Sequence, residues 1–257
     1  MLCRPKPLFV ALALTLAACG DDTTQDPGPS GSSTGPTATN TTLGATADAS
    51  TTAADTTAAD STTAGVCEPS GSAIVTDIDE TLTLSDAEFI MQIGDGNYDP
   101  VEREGAAELI SAYADLGYYV IYLTARSEEI VLEVTGETAR EATFRWLQEH
   151  DFPTDGATTE LVLAPEFVFD DTARAYKAQA LMDRQVQGLQ FDYAYGNATS
   201  DIGAYADAGI ALDATFIIGE HAGEDGTVAV AGEGWVEHTD MHLPDVPEVC
   251  PGGIGAD

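Results

Sequence analysis

Hydrophobic and polar positions alternate between two regimes along residues 67–257. Short, nearly continuous apolar runs at Ala73–Ile78, Tyr118–Leu123, Leu161–Leu163, Phe191–Tyr195 and Thr215–Ile218 predict strands buried on both faces. Between them, helical periodicity predicts helices over Val101–Leu116, Glu128–Glu149, Thr172–Arg184 and Ile202–Ala208. Gly117 stands where a helix would end, and Asp171-Thr172 where one would begin. Strands alternating with helices in this way predict an α/β fold, doubly wound around a mainly parallel, Rossmann-like sheet. The stretch Glu220–Pro251 is glycine-rich with short alternating pieces such as Thr227–Ala231, and it reads as peripheral strands and loops. His238 and His242 lie there at a helical metal-binding spacing, but Pro244 and the nearby glycines favour a loop without a ligand role.

The pattern before residue 67 is different. Arg4 and Lys6 precede an apolar run from Leu8 to Leu16, and Leu16-Ala17-Ala18-Cys19 closes it with small residues. This predicts a signal peptide over residues 1–18, too short to span a bilayer as a mature helix. The Leu-Ala-Ala-Cys sequence resembles a bacterial lipobox, which implies cleavage before Cys19 and acylation of its thiol. Residues 20–66 are Thr, Ala, Ser, Gly and Asp, with almost no large apolar side chain. Such a segment buries too little surface to offset its chain entropy and reads as a disordered tether reaching roughly 35–40 Å. The expected location is therefore the bacterial cell envelope, with the domain held to a membrane through a lipid anchor.

Cysteine usage agrees with export. With Cys3 in the signal and Cys19 carrying lipid, Cys67 and Cys250 remain, and they bracket the folded region. A disulfide between them is expected in an oxidising compartment. The chain carries −35 in all, and the signal and tether hold two of its nine basic and six of its forty-four acidic residues, leaving the domain at −31. A field of that sign excludes nucleic acid as a partner and attracts divalent cations. A monomer is expected.

Candidate chemistry falls at the carboxyl ends of the predicted strands, where ligands of open α/β sheets gather. Asp77 and Asp79 end the first, Thr124 the second, and Asn197 the fourth, with Asp201 one turn beyond and Lys177 on the intervening helix. Asp77 suits attack on phosphorus to give an acyl-phosphate. Asp79 suits protonation of the leaving alcohol and deprotonation of the attacking water. Paired carboxylates beside a phosphate, Asp77 and Asp79, call for a hard cation, Mg²⁺, to which Asp201 offers another carboxylate. Thr81 and Thr124 are candidates to hold the substrate, and Lys177 to neutralise nucleophile and transferred group.

Asp77-Ile-Asp79-Glu80-Thr81 resembles the first motif of the haloacid dehalogenase phosphatase superfamily. Tyr122-Leu123-Thr124-Ala125-Arg126, the Trp146 helix, Leu163-Ala164-Pro165, Tyr176-Lys177 and Tyr195-Gly196-Asn197 through Asp201 resemble, more narrowly, the lipin catalytic domain, which also ends the phosphatidylinositol-transfer (Nir) proteins. The resemblance covers residues 73–222. It implies a Mg²⁺-dependent phosphatidate phosphatase releasing diacylglycerol, with Asn197 joining Asp77, Asp79 and Asp201 at the metal and Arg126 gripping the phosphate or an adjacent carboxylate. Glu80 departs from the glycine usual in lipins, and Ala198 from an arginine. No connecting stretch is long enough for a large cap domain, so an open site is expected. Two other functions compete: a phosphatidic-acid-binding module without turnover, and a periplasmic phosphatase of small soluble phosphomonoesters.

Overall fold

The computed structural model describes residues 67–252; the expected signal peptide, Cys19 anchor and tether lie outside the described residues. Six strands form one sheet: β1 Ser72–Thr76, β2 Tyr119–Ser127, β3 Thr159–Ala164, β4 Gln190–Gly196, β5 Thr215–Ile217 and β6 Val228–Ala229. All pairings are parallel, in the order β3-β2-β1-β4-β5-β6. The chain winds outward from β1 in one direction and, from β4, in the other. The crevice at that reversal opens beyond the carboxyl ends of β1 and β4.

Among the described residues, six α-helices flank the sheet: α1 Ala87–Gly94, α2 Ala106–Asp115, α3 Ala139–Glu149, α4 Asp170–Val186, α5 Thr199–Asp207 and α6 Val236–His242. Successive residues of β1 and β2 point to opposite faces, and each face has its own core. Ile74, Val120 and Tyr122 pack with Tyr113, Trp146 and Trp235 on one side, and Val75, Ile121 and Leu123 with Leu181 and Tyr205 on the other. No large cap is present among the described residues, and no described helix is long and apolar enough to cross a membrane.

Several expected boundaries move, for local reasons. The helix expected from Glu128 begins only at Ala139. Residues 131–138 instead close a small antiparallel turn, Val131 opposite Thr138. Thr138 then caps α3, accepting from Glu141 N at 3.2 Å while Glu141 Oε2 accepts from Thr138 N at 2.8 Å. The helix expected from Val101 starts at Ala106, after Gly105 at φ +78. Gly117 does end α2; it holds φ +94, and a Cβ there would lie 2.2 Å from the Val249 carbonyl. The strand expected through Ile78 stops at Thr76.

Two helices escaped the periodicity. One is α1, between β1 and α2. The other is α6, where a peripheral loop was expected. Far from peripheral, Trp235 is fully buried and His238 nearly so. Cys67 and Cys250 are joined, with Cα atoms 5.5 Å apart, tying this carboxyl-terminal strap to the start of the domain.

Candidate active site

The turn leaving β1 is tight: the amides of Thr81, Leu82 and Thr83 all donate to the Ile78 carbonyl. Asp77 N donates to Tyr195 O at 3.0 Å, fixing the β1 exit against β4. The Asp77 carboxylate is thereby buried at the sheet edge, 4 % exposed.

Lys177, reaching in from α4, donates to Asp77 Oδ1 and to Asp201 Oδ1, each at 2.6 Å. Asp201 is wholly buried in the first turn of α5. Its Oδ2 accepts from the amides of Asn197 at 3.2 Å and Ala198 at 3.1 Å, so the carboxylate shapes the β4–α5 turn as well as the charge. A side chain on Gly196 would collide with it, since a Cβ there falls 2.7 Å from that of Asp201.

Thr81 Oγ1 lies 3.0 Å from Asn197 Oδ1 and 3.4 Å from Asp77 Oδ2. A hydroxyl has one proton, and the shorter bond takes it. Asp77 Oδ2 is therefore the least engaged carboxylate oxygen of the cluster.

Burial dominates at Asp77 and, with the Asp201 and Asp79 charges, lifts its carboxyl to about 8 against the pull of Lys177. Burial also works against the Lys177 ammonium, but Asp201 and Asp77 outweigh it and raise its pKa. The two shifts conflict, because a protonated Asp77 would leave the lysine one partner. The ammonium, gripped by two carboxylates, is the charge that persists. Asp77 is the group that further positive charge would relieve.

A second cluster surrounds Asp79. Arg126 clasps its carboxylate through Nε at 3.0 Å and Nη2 at 2.8 Å, and Thr124 Oγ1 adds a bond at 3.1 Å. The guanidinium is itself pinned: Nη1 donates to Thr143 Oγ1 at 2.8 Å, and the Phe89 ring of α1 lies 4.1 Å from its centre. The candidate residues thus form two adjoining groups, Asp77–Thr81–Lys177–Asn197–Asp201 and Asp79–Thr124–Arg126. Of the gripping roles foreseen for Arg126, the structure has it holding a carboxylate.

The donors suit Mg²⁺. Asp77, Asp201 and the Asn197 amide offer hard oxygens, and Mg²⁺ is typically bound through one or two carboxylates with waters completing an octahedron. Among the described residues no set of three or more His, Cys, Asp and Glu side chains is poised for a metal. Asp79, turned toward Arg126, stands apart from this donor set. His238 and His242 are committed elsewhere: their Nε2 atoms bond the hydroxyls of Tyr195 at 3.2 Å and Tyr113 at 2.9 Å.

Several participants carried no sequence signal. Arg103 donates to the carbonyls of Glu80 at 2.8 Å and Leu84 at 3.1 Å, and Trp235 Nε1 to Thr81 O at 2.9 Å, so distant segments brace the nucleophile loop. Thr143 and Phe89 stand behind Arg126. A groove of about 490 Å³ along the outer side of β3, lined by Arg140, Phe144, Glu160 and Arg184, contains none of the site residues.

Residues 74–219 match the LNS2 domain of PITM 1-3. The chain belongs to this family. The lipin-type, haloacid dehalogenase-like resemblance read from the motifs therefore holds. Protein retinal degeneration B of Drosophila melanogaster is 26 % identical over 176 residues, 65 % of this chain and 12 % of that protein. Human membrane-associated phosphatidylinositol transfer protein 3 is 27 % identical over 135 residues, 52 % of this chain and again 12 % of the relative. The chain thus spans a small part of these relatives. Among solved structures, a phospho-aspartyl intermediate analogue of phosphoserine phosphatase aligns over 59 % of this chain and 87 % of its own, at 14 % identity and a TM-score of 0.36.

Proposed function

We propose that this LNS2 domain is a Mg²⁺-dependent phosphomonoesterase acting through an aspartyl-phosphate, with phosphatidic acid as the substrate it converts to diacylglycerol. The observation that carries the reading is Asp77: one oxygen is clamped to Lys177 and the other, Oδ2, is left with no short hydrogen bond. A carboxylate held this way presents one lone pair in a fixed direction.

In the first half-reaction Asp77 Oδ2 attacks phosphorus and the ester oxygen departs with a proton from Asp79. In the second, Asp79 takes a proton from water, which attacks the acyl-phosphate and frees Asp77. Lys177 offsets charge on the nucleophile throughout. Mg²⁺ held by Asp77, Asn197 and Asp201 would neutralise the phosphoryl oxygens when bound. For Asp79 to act, Arg126 and Thr124 must yield it, and both are then free to bind the phosphate, as the motif reading expects.

The lipid substrate is supported by the relative named a membrane-associated phosphatidylinositol transfer protein and by the expected anchor at Cys19. A bacterial envelope location belongs to the same proposal. A second reading, phosphatidic-acid recognition without turnover, draws support from the Arg126 clasp, because Asp79 is turned to the guanidinium rather than toward Asp77.

The test offers the purified chain phosphatidic acid in detergent micelles, with and without Mg²⁺. Cation-dependent phosphate release that disappears in Asp77→Asn supports the enzyme. Saturable binding without release supports the recognition module.

A further inference from the structure

We propose that the loops framing the site form an apolar rim that docks on a zwitterionic phospholipid bilayer and so presents the crevice to the membrane. This rests on the lipid-substrate reading of the function and adds the surface through which such a substrate is reached.

The rim is built from three segments that leave the carboxyl ends of the neighbouring strands β1, β2 and β3. Helix α1 exposes Ile90 and Met91, the turn after β2 exposes Val131 and Val134, and the loop between β3 and α4 exposes Phe167 and Phe169. The two phenylalanines are 56 % and 62 % exposed, in a run, Phe167-Val168-Phe169, that no strand absorbs. Single exposed apolar side chains need no explanation, but a group of them at one end of a domain marks an interaction surface. Buried packing joins the segments: Phe89 of α1, Ala139 of α3 and Leu163 of β3 form one cluster, with Ile93 and Ile130 against it. The backbone joins them as well, Glu133 N donating to Ile93 O at 3.0 Å and Glu128 N to Ala164 O at 2.8 Å. Each segment is also tied to the site. Phe89, next to Ile90, packs on the Arg126 guanidinium; β2 carries Arg126 itself; and Phe169 opens the helix that carries Lys177.

Charge and chain length select the partner. Residues 84–95, 128–136 and 165–171 contain no lysine or arginine, and exposed Glu129, Glu133, Glu166 and Asp170 stand among the apolar side chains. Such a rim is not drawn to an anionic surface; it gains by burying apolar area among neutral headgroups. The phosphate of a lipid substrate is met deeper, by Lys177, by the Arg126 it frees from Asp79, and by Mg²⁺ when bound. The expected anchor makes the bilayer the surface at hand. Cys67 enters before β1, at the amino end of the sheet, whereas the rim lies beyond the carboxyl end. The 47 residues between Cys19 and Cys67, as flexible chain, average roughly 35–40 Å, about the 40 Å diameter expected of a domain this size. The anchor therefore does not hold the rim away from the bilayer. With the chain already attached, docking is intramolecular, so a shallow insertion suffices.

The test places the full-length, acylated chain in phosphatidylcholine vesicles whose acyl chains carry bromine, a short-range quencher of tryptophan. Phe169→Trp puts a reporter on the rim. Val186→Trp is its control, 88 % exposed at the other end of α4, about 25 Å away along the helix. The native Trp146 and Trp235 are buried and give a constant background. Trp emission from position 169 is expected to shift to the blue and be quenched, while that from position 186 is not. Adding Phe167→Ser or Ile90→Ser to Phe169→Trp lowers the docked-to-undocked ratio roughly five- to tenfold each, the effect of removing one half-exposed apolar side chain from the interface. Replacing part of the phosphatidylcholine by an anionic phospholipid lowers the quenching. An unquenched reporter at 169, equal quenching at 169 and 186, or quenching that grows with anionic lipid overturns the proposal. So does a dimer that persists in detergent and shields position 169 from bromine, which gives the rim to a second copy. No arm needs turnover, so failure of the phosphatase reading leaves the quenching result standing, and failure of docking leaves hydrolysis of soluble esters untouched.

Discussion

Lys177 holds together two carboxylates that would otherwise repel each other in a buried space, with side-chain exposures of 4 % for the lysine, 6 % for Asp77 and 0 % for Asp201. Lys177→Met keeps the volume and removes the charge, so it strands the buried Asp201 carboxylate and leaves Asp77 without its partner. The expected loss is about 3 kcal/mol of stability at neutral pH, read from urea unfolding midpoints; an unchanged midpoint would mean that the triad is not formed. Val134 offers the opposite case. It is β-branched, 76 % exposed and held at φ +70. Val134→Gly is expected to raise stability by about 1 kcal/mol, seen as a higher melting temperature. At this scale the sequence was informative where chemistry repeats at fixed spacing: Asp77, Asp79, Thr124, Lys177 and Asp201 were all legible. Which of its two foreseen partners Arg126 takes, and Glu80 leaning on Asn197, were not. Both depend on side chains from separate segments meeting beyond the strand ends, which no local pattern encodes.

Helix α6 shows why an element can be missed. Pro244 and the surrounding glycines carry the local signal of a loop, yet burial of Trp235 and His238 against Tyr195 and Phe216 holds a helix there. The His238 and His242 rings stack at 5.1 Å. Burial, then the neighbouring His242, depresses His238 from 6.5 to about 4. Burial likewise depresses His242, with Asp245 opposing. The folded state therefore refuses protons that the unfolded chain accepts, and stability falls as pH drops from 6.5 toward 4. After allowance for solvent screening the His238 share is about 2 kcal/mol. His238→Phe should flatten that part of the stability–pH curve in calorimetry; an unchanged slope would place the acid sensitivity elsewhere. Strands β1, β2 and β4 were legible because they are buried on both faces and read as continuous apolar runs. Helix α1 is short, and its polar Glu88 and Gln92 are buried, which blurs its amphipathic pattern.

Across the whole domain, one fold and one bond set the frame. Closing the chain between Cys67 and Cys250, 183 residues apart, restricts the unfolded state by at most about 5 kcal/mol in the chain-entropy account. Reduction should lower the melting temperature without abolishing the folded state, because two cores on either side of the sheet remain. The α/β architecture and the absence of a large cap were readable from strand–helix alternation and segment lengths. Strand order was not, since it depends on which neighbours each strand finds. That order matters for function because it sets Asp77 beside Asn197 at the reversal of the sheet. The account turns on Asp77 becoming phosphorylated. Its most direct test is rapid acid quenching of the full-length chain during turnover of a phosphomonoester with Mg²⁺, followed by peptide mass spectrometry. A hydroxylamine-labile phosphoryl group on the Asp77 peptide, absent from Asp77→Asn, is the predicted result; phosphate release with no such adduct, or undiminished release by Asp77→Asn, would contradict it.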